Sequence, residues 1–194
     1  MRQRKYEMRE RAASVEATRQ RILQATSACH RERGITETSI DDVASRAGVA
    51  LGTVYRHYPT LENLIGACGA VFMDRFALPE PTQARELFRG LSAREARLSC
   101  LVDAIAARYR GAAIGFVRVR EAKDHFAATA SAHQRIEASL DALVDAAVAP
   151  LRYSAPRRRA LRALIDARVW QTFLDHGLDQ DATEQALRRL VTAV

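Results

Sequence analysis

Residues 38 to 64, TSIDDVASRAGVALGTVYRHYPTLENL, constrain the fold more than any other stretch. Ile40, Val43, Ala44 and Ala47 recur at helical spacing, which places them on one buried face. Gly48 follows as the residue that tolerates positive φ and ends that helix, and Val49 seals the turn. A second short helix then runs from about Ala50 to His57, with Val54, Tyr55 and Tyr58 inward and Leu51, Thr53, Arg56 and His57 outward. Pro59 stops it, because the residue before a proline avoids the helical region. Thr60 caps the next helix. Two short helices at a tight turn form a helix-turn-helix, whose second helix enters a DNA major groove.

The residues AGVALGTVYRHYPTLENLI carry a resemblance to the tetracycline-repressor-type (TetR) family of bacterial regulators. The resemblance spans about residues 17 to 65, a quarter of the chain. It implies an all-α protein, with an N-terminal three-helix helix-turn-helix domain followed by a C-terminal helical bundle for ligand binding and dimerisation. One departure stands out: the family has a lysine, which grips a DNA phosphate, where this chain has Leu61. The implied organisation is a basic extension over 1–13, a DNA-binding domain over 14–60, and an effector-binding and dimerisation domain over 61–194.

Composition agrees with an all-helical chain. Of 194 residues, 48% are hydrophobic, mostly Ala, Leu, Val and Ile, while Gly and Pro are few and Arg and Glu abundant. The net charge of +7 suits a polyanionic partner. Residues 1–60 hold 11 Lys and Arg against 7 Asp and Glu, and the remainder 19 against 16, so the excess concentrates at the expected DNA-binding end. Cys29, Cys68 and Cys100 are far apart and lack metal-ligand spacing; they read as buried small hydrophobes in a reducing cytosol. No apolar run is long enough to span a membrane, and the charged N-terminus is no secretory signal. The expected location is the cytoplasm.

Further along, residues 1–13 read as a charged, disordered extension, either an arm on DNA or a solvated tail. A helix from Ser14 to Arg33 carries Ile22, Ala25, Thr26 and Cys29 on one stripe, and Gly34 ends it. Thr38 or Ser39 caps the following helix, with Asp41 and Asp42 in its first turn. Pro79 and Pro81 mark a linker, with a short helix within 82–91. Helices are then expected over 93–109 and 124–149, with Gly111 and Gly115 interrupting; GFVRVREA between the two helices reads as a short helix, with an extended segment as the alternative. RRRALRALIDARVWQTFLDH reads as one amphipathic helix over 157–176. Gly177 ends it, and a last helix starts at Asp181 or Thr183.

Candidate base-reading residues lie near the start of the recognition helix: Leu51, Gly52, Thr53 and Arg56. A guanidinium at Arg56 can bond both major-groove acceptors of guanine. By resemblance, Tyr55 and His57 hold phosphates; the alternatives are a core aromatic at Tyr55 and a plain surface histidine at His57. The hydroxyls of Thr38 and Ser39 serve as cap, or as cap and phosphate contact. The resemblance also implies that the last two helices, with Trp170, Phe173, Leu174, Leu187 and Leu190, pair in a homodimer, while the same residues suit an ordinary core. Candidate effector-pocket residues are Phe72, Phe76, Phe88, Tyr109, Phe116, His125, Phe126, His133 and Trp170, each of which also suits plain core or surface.

The expected function is a homodimeric, sequence-specific transcriptional repressor, released from a palindromic double-stranded DNA operator by a small-molecule effector. No cofactor, metal or catalytic residue is expected. Neither an H-E-x-x-H helix, a Gly-rich phosphate loop nor G-x-S-x-G is present, which disfavours a helical enzyme. An architectural protein that coats DNA without preference is disfavoured by the large helical remainder.

Overall fold

The computed structural model describes the backbone of residues 2–194 and the side chains from residue 10 onward. Met1 and the side chains of Arg2, Arg4, Lys5 and Arg9, on which the expected basic arm rests, lie outside the described residues. Among the described residues every regular element is an α-helix. The first, α1, runs from Arg2 to Arg33. It therefore starts well before Ser14, where the sequence reading begins it. The segment holds strong helix formers and neither Gly nor Pro, so nothing interrupts the helix.

Helices α2 (Ile40–Ala47), α3 (Leu51–His57) and α4 (Leu61–Phe76) follow. Ile22, Leu23, Ala25 and Cys29 of α1 meet Val43, Ala44, Val54, Tyr58, Leu64 and Cys68 in one hydrophobic core. Gly48 takes the left-handed conformation at φ 63°, which lets α3 turn back across α2. Tyr55 does not join that core: it is 46% exposed, because a seven-residue helix buries a single turn's worth of side chains, here Val54 and the following Tyr58.

The second core is larger. It draws on α4, α5 (Pro81–Leu87), α6 (Arg94–Tyr109), α7 (Ala113–Glu121), α8 (Ala127–Val148), α9 (Ala155–Leu164), α10 (Ala167–Asp175) and α11 (Gln180–Ala193). Helix α4 serves both cores: Leu64 and Cys68 face the first, Ile65 and Met73 the second. Leu61, where the family has lysine, packs against both.

Three expectations change. The stretch over 157–176 is two helices, since Asp166 caps α10 by accepting from the Arg168 amide at 2.9 Å. Its carboxylate also meets Arg120 at 3.0 Å, and the Tyr109 hydroxyl donates to the freed Ile165 carbonyl at 3.0 Å. Gly115 lies within α7 rather than interrupting it, and a Cβ there would overlap Phe72 Cε2 and stand 2.8 Å from Cζ. Asp179, not Asp181 or Thr183, caps the last helix.

The second core also contains a charge. Arg97 is 6% exposed, and its guanidinium donates to the carbonyls of Ala147 at 2.8 Å, Phe88 at 3.1 Å, and Leu91 and Ala146. Ala146 and Ala147 belong to the last turn of α8, where carbonyls lack intrahelical donors and the helix dipole favours a cation.

Candidate nucleic-acid interface

The reading surface is built from the turn outward. Ser39 caps α2 in a capping box: its hydroxyl accepts from the Asp42 amide at 3.1 Å and donates to the Asp42 carboxylate at 2.7 Å. That carboxylate accepts in turn from the Ser39 amide at 3.0 Å and from Arg33. These bonds, led by the Ser39 hydroxyl and amide, hold the Asp42 carboxyl down at about 2. Arg46 adds a bidentate pair with Glu32 at 2.5 and 2.6 Å. Two ion pairs thus bind the last turn of α1 to α2. Sequence spacing does not reveal them, because their partners come from different helices.

Thr38 requires a correction. It is 2% exposed, and its hydroxyl donates to the Gly34 carbonyl at 2.7 Å, so it braces the loop from inside and presents nothing to a phosphate. Ser39 stays at the surface with both roles of its hydroxyl engaged by Asp42.

Helix α3 stands on Val54 and the following Tyr58, both buried. Leu51, Gly52, Tyr55 and Arg56 are exposed, and Thr53 and His57 are half-buried. Among the described residues Arg56 has no ion pair or side-chain hydrogen bond, which leaves its five donors for an outside partner. No glycine Cβ clash exists at Gly52, where the surrounding space is open.

The expected effector residues separate into two groups. Phe72 and Phe76 line a cleft of ≈ 870 Å³ bounded by α1, α4, α7 and α8. Tyr109, Phe116 and Trp170 instead form a buried aromatic ladder: Phe72 meets Phe116 at 5.0 Å, Phe116 meets Tyr109 at 5.1 Å, and Tyr109 meets Trp170 at 6.0 Å between centroids. They are core, since such edge-to-face spacing fills the space a ligand would need. Tyr109 also borders a smaller hollow of ≈ 260 Å³ beside α10. Phe88 is buried under Arg97. Phe126 packs against the second core, and neither it, His125 nor His133 lines the cleft.

His30 and Arg118 were not anticipated, and both line the cleft. His30 is 8% exposed, its Nε2 lacks a hydrogen-bond partner among the described residues, and burial pushes its pKa down from 6.5 to about 4. The imidazole is therefore neutral in the folded chain at pH 6, while the unfolded chain takes up a proton below about 6.5. Stability from this group is full above pH 6.5 and is lost as pH falls through 4. Urea titrations between pH 7 and 4 are expected to show roughly 1–3 kcal/mol of acid-linked loss that His30→Gln lacks. Equal losses in the two proteins would refute this.

Comparisons with known proteins converge on one family. Residues 22–68 match the family model for bacterial regulatory proteins of the tetR family. The HTH-type transcriptional repressor Rv3405c of Mycobacterium tuberculosis is 48% identical over 46 residues, 24% of each chain. This chain thus spans about a quarter of the length of the curated relative it matches. NalD of Pseudomonas aeruginosa, the secondary repressor of the MexAB-OprM multidrug efflux pump, has the same fold at TM-score 0.61 and 20% identity, with 93% of this chain and 96% of that one covered. A tetR-family member from Streptomyces coelicolor is 25% identical at TM-score 0.58, over 89% of this chain and 97% of that one. The helix-turn-helix segment of this chain thus matches the tetR family of bacterial regulatory proteins, and the helical domain mounted on it has the fold of solved members of that family.

Proposed function

We propose that the chain is a sequence-specific transcriptional repressor, a homodimer that occupies a near-palindromic operator and is released by a small molecule. The observation that carries the reading is the outward face of α3, where Arg56 stands exposed, with no ion pair among the described residues, on a helix anchored by Val54. Leu51, Gly52 and Thr53 share the N-terminal part of that helix, the part that reaches base edges in this motif. Tyr55 and His57 flank it as phosphate contacts, and Ser39 presents the first amides of α2 to the backbone. Leu61 supports the turn by packing and leaves the phosphate grip to these neighbours.

Dimerisation draws on α10 and α11. Trp170 and Leu187 are buried within the chain, so the shared surface falls to Phe173, Leu174 and Leu190, the last of them 41% exposed. A two-fold pair places its reading helices about one DNA turn apart, roughly 34–36 Å or a multiple. No helix among the described residues is long and apolar enough to cross a membrane.

Selection of binding sites from random duplex DNA at fixed moderate salt tests the reading. A near-palindrome is expected. Recovery of no preferred sequence would overturn it in favour of non-specific DNA coating. On the selected site, Arg56→Ala is expected to cost about 1–3 kcal/mol and to relax preference at one base pair per half-site. Unchanged affinity and preference would displace Arg56 from the base-reading role.

A further inference from the structure

We propose that the cleft between α1, α4, α7 and α8 binds an amphipathic organic anion, with Arg118 as the group that receives its charge. The regulatory consequence rests on the repressor reading above; the binding itself does not.

The cleft has the volume of a small-molecule site, and its wall is mixed. Phe72, Phe76, Ile65 and Val119 supply apolar surface. The charged residues at its wall are five arginines, at positions 19, 31, 75, 118 and 135, against the single carboxylate of Glu16. Glu16 is already paired, with Arg19 at 3.6 Å. An apolar floor with a cationic surround selects a ligand that is apolar along its body and negative at one end.

Among the described residues four buried side-chain polar atoms have no partner, and two of them lie at the cleft. Arg118 Nε is one and His30 Nε2 the other, and both residues line the cleft. Buried polar groups without partners are uncommon in folded chains, and at a concave surface they mark the place of a ligand or water. Arg118 holds Glu121 at 2.8 Å, and its remaining terminal nitrogen reaches the Arg31 carbonyl at 3.5 Å, the long limit of a hydrogen bond. Beyond the ion pair to Glu121, the guanidinium has Nε unpartnered among the described residues and one nitrogen weakly bonded, and a carboxylate or sulfonate offers these two charge-assisted bonds.

The same geometry gives the ligand a route to the reading head. Arg31 lies in the last turn of α1, next to Glu32 and Arg33, which are the residues paired to Arg46 and Asp42 of α2. An anion that draws Arg118 toward the cleft withdraws the contact from α7 to that turn. A ligand acts on an equilibrium only through such differential contacts.

The test uses two fluorescent probes with one apolar body: anilinonaphthalene sulfonate, an anion, and N-phenylnaphthylamine, its neutral counterpart. Titration of the full chain is expected to give the anion about tenfold tighter binding. Arg118→Gln should abolish that difference while leaving the neutral probe within about twofold. Because Arg118 also braces α1, a second variant, Ala132→Glu, keeps it and adds a carboxylate to the α8 wall; it should weaken the anion selectively. Equal affinity for the two probes would overturn the anion assignment. Anion binding that neither variant weakens would overturn the cleft as its site. Neither experiment contains DNA, so a failure here is distinct from a failure to select an operator.

Discussion

Arg97→Met is expected to lower the unfolding free energy by about 3–5 kcal/mol, read from urea midpoints at neutral pH. Methionine replaces the aliphatic stem of the side chain but none of its donors. Three carbonyls would then lose their partner, those of Ala146 and Ala147 at the end of α8 and of Leu91 after α5, while the Phe88 carbonyl keeps the Leu91 amide at 3.2 Å. Each unsatisfied buried acceptor costs about 1–3 kcal/mol before relaxation and entry of water reduce the sum. The Phe88 ring, 5.2 Å beneath the guanidinium, would lose its cation as well. Arg97→Lys should fall between the two proteins, since an ammonium keeps the charge but cannot span four acceptors in a fork. A loss below about 1 kcal/mol would show that the helix ends close without the guanidinium.

A comparable loss, about 3 kcal/mol, is expected for Gly115→Val. Its Cβ would overlap the Phe72 ring, and that ring has little room, held between Phe76 at 5.3 Å and Phe116 at 5.0 Å. The ring belongs to α4, so the strain falls on the helix that joins the two cores. Combining Gly115→Val with Phe72→Ala should cost less than the sum of the two, by about 1 kcal/mol or more. On the proposed reading, Gly115→Val also weakens operator binding in protein that is still folded, and the double variant recovers part of it. Additive costs would mean that the ring swings aside freely.

Local signals made the reading head legible. Gly48, Pro59 and the Ile40, Val43, Ala44 spacing each act within a few residues, so a linear pattern captures them. Tyr55 shows where the pattern misleads: a tyrosine beside Val54 reads as core filler, yet the short helix turns it outward. The break at Asp166 was hidden because the apolar spacing continues through it; only the Arg120 and Tyr109 side chains, from distant helices, reveal why the chain bends there. For the cleft, aromatic residues were the visible signal, and most of them proved to be packing. Its distinguishing residues, His30 and Arg118, are ordinary in sequence and acquire meaning only through what they fail to touch.

The division of α4 between two cores bears on how such a protein can be recombined. Leu64 and Cys68 complete the hydrophobic interior of the helix-turn-helix, and the family match ends at the same residue, 68. A chimaera joined at the start of α4 would graft a foreign lid onto this reading head, and its new side chains at 64 and 68 would have to fit a cavity shaped for leucine and cysteine. A splice placed just after Cys68 keeps that interior native and moves the mismatch to Met73 and Phe72, against the helical domain. The portable unit is therefore the helix-turn-helix together with the first two turns of the helix that follows it.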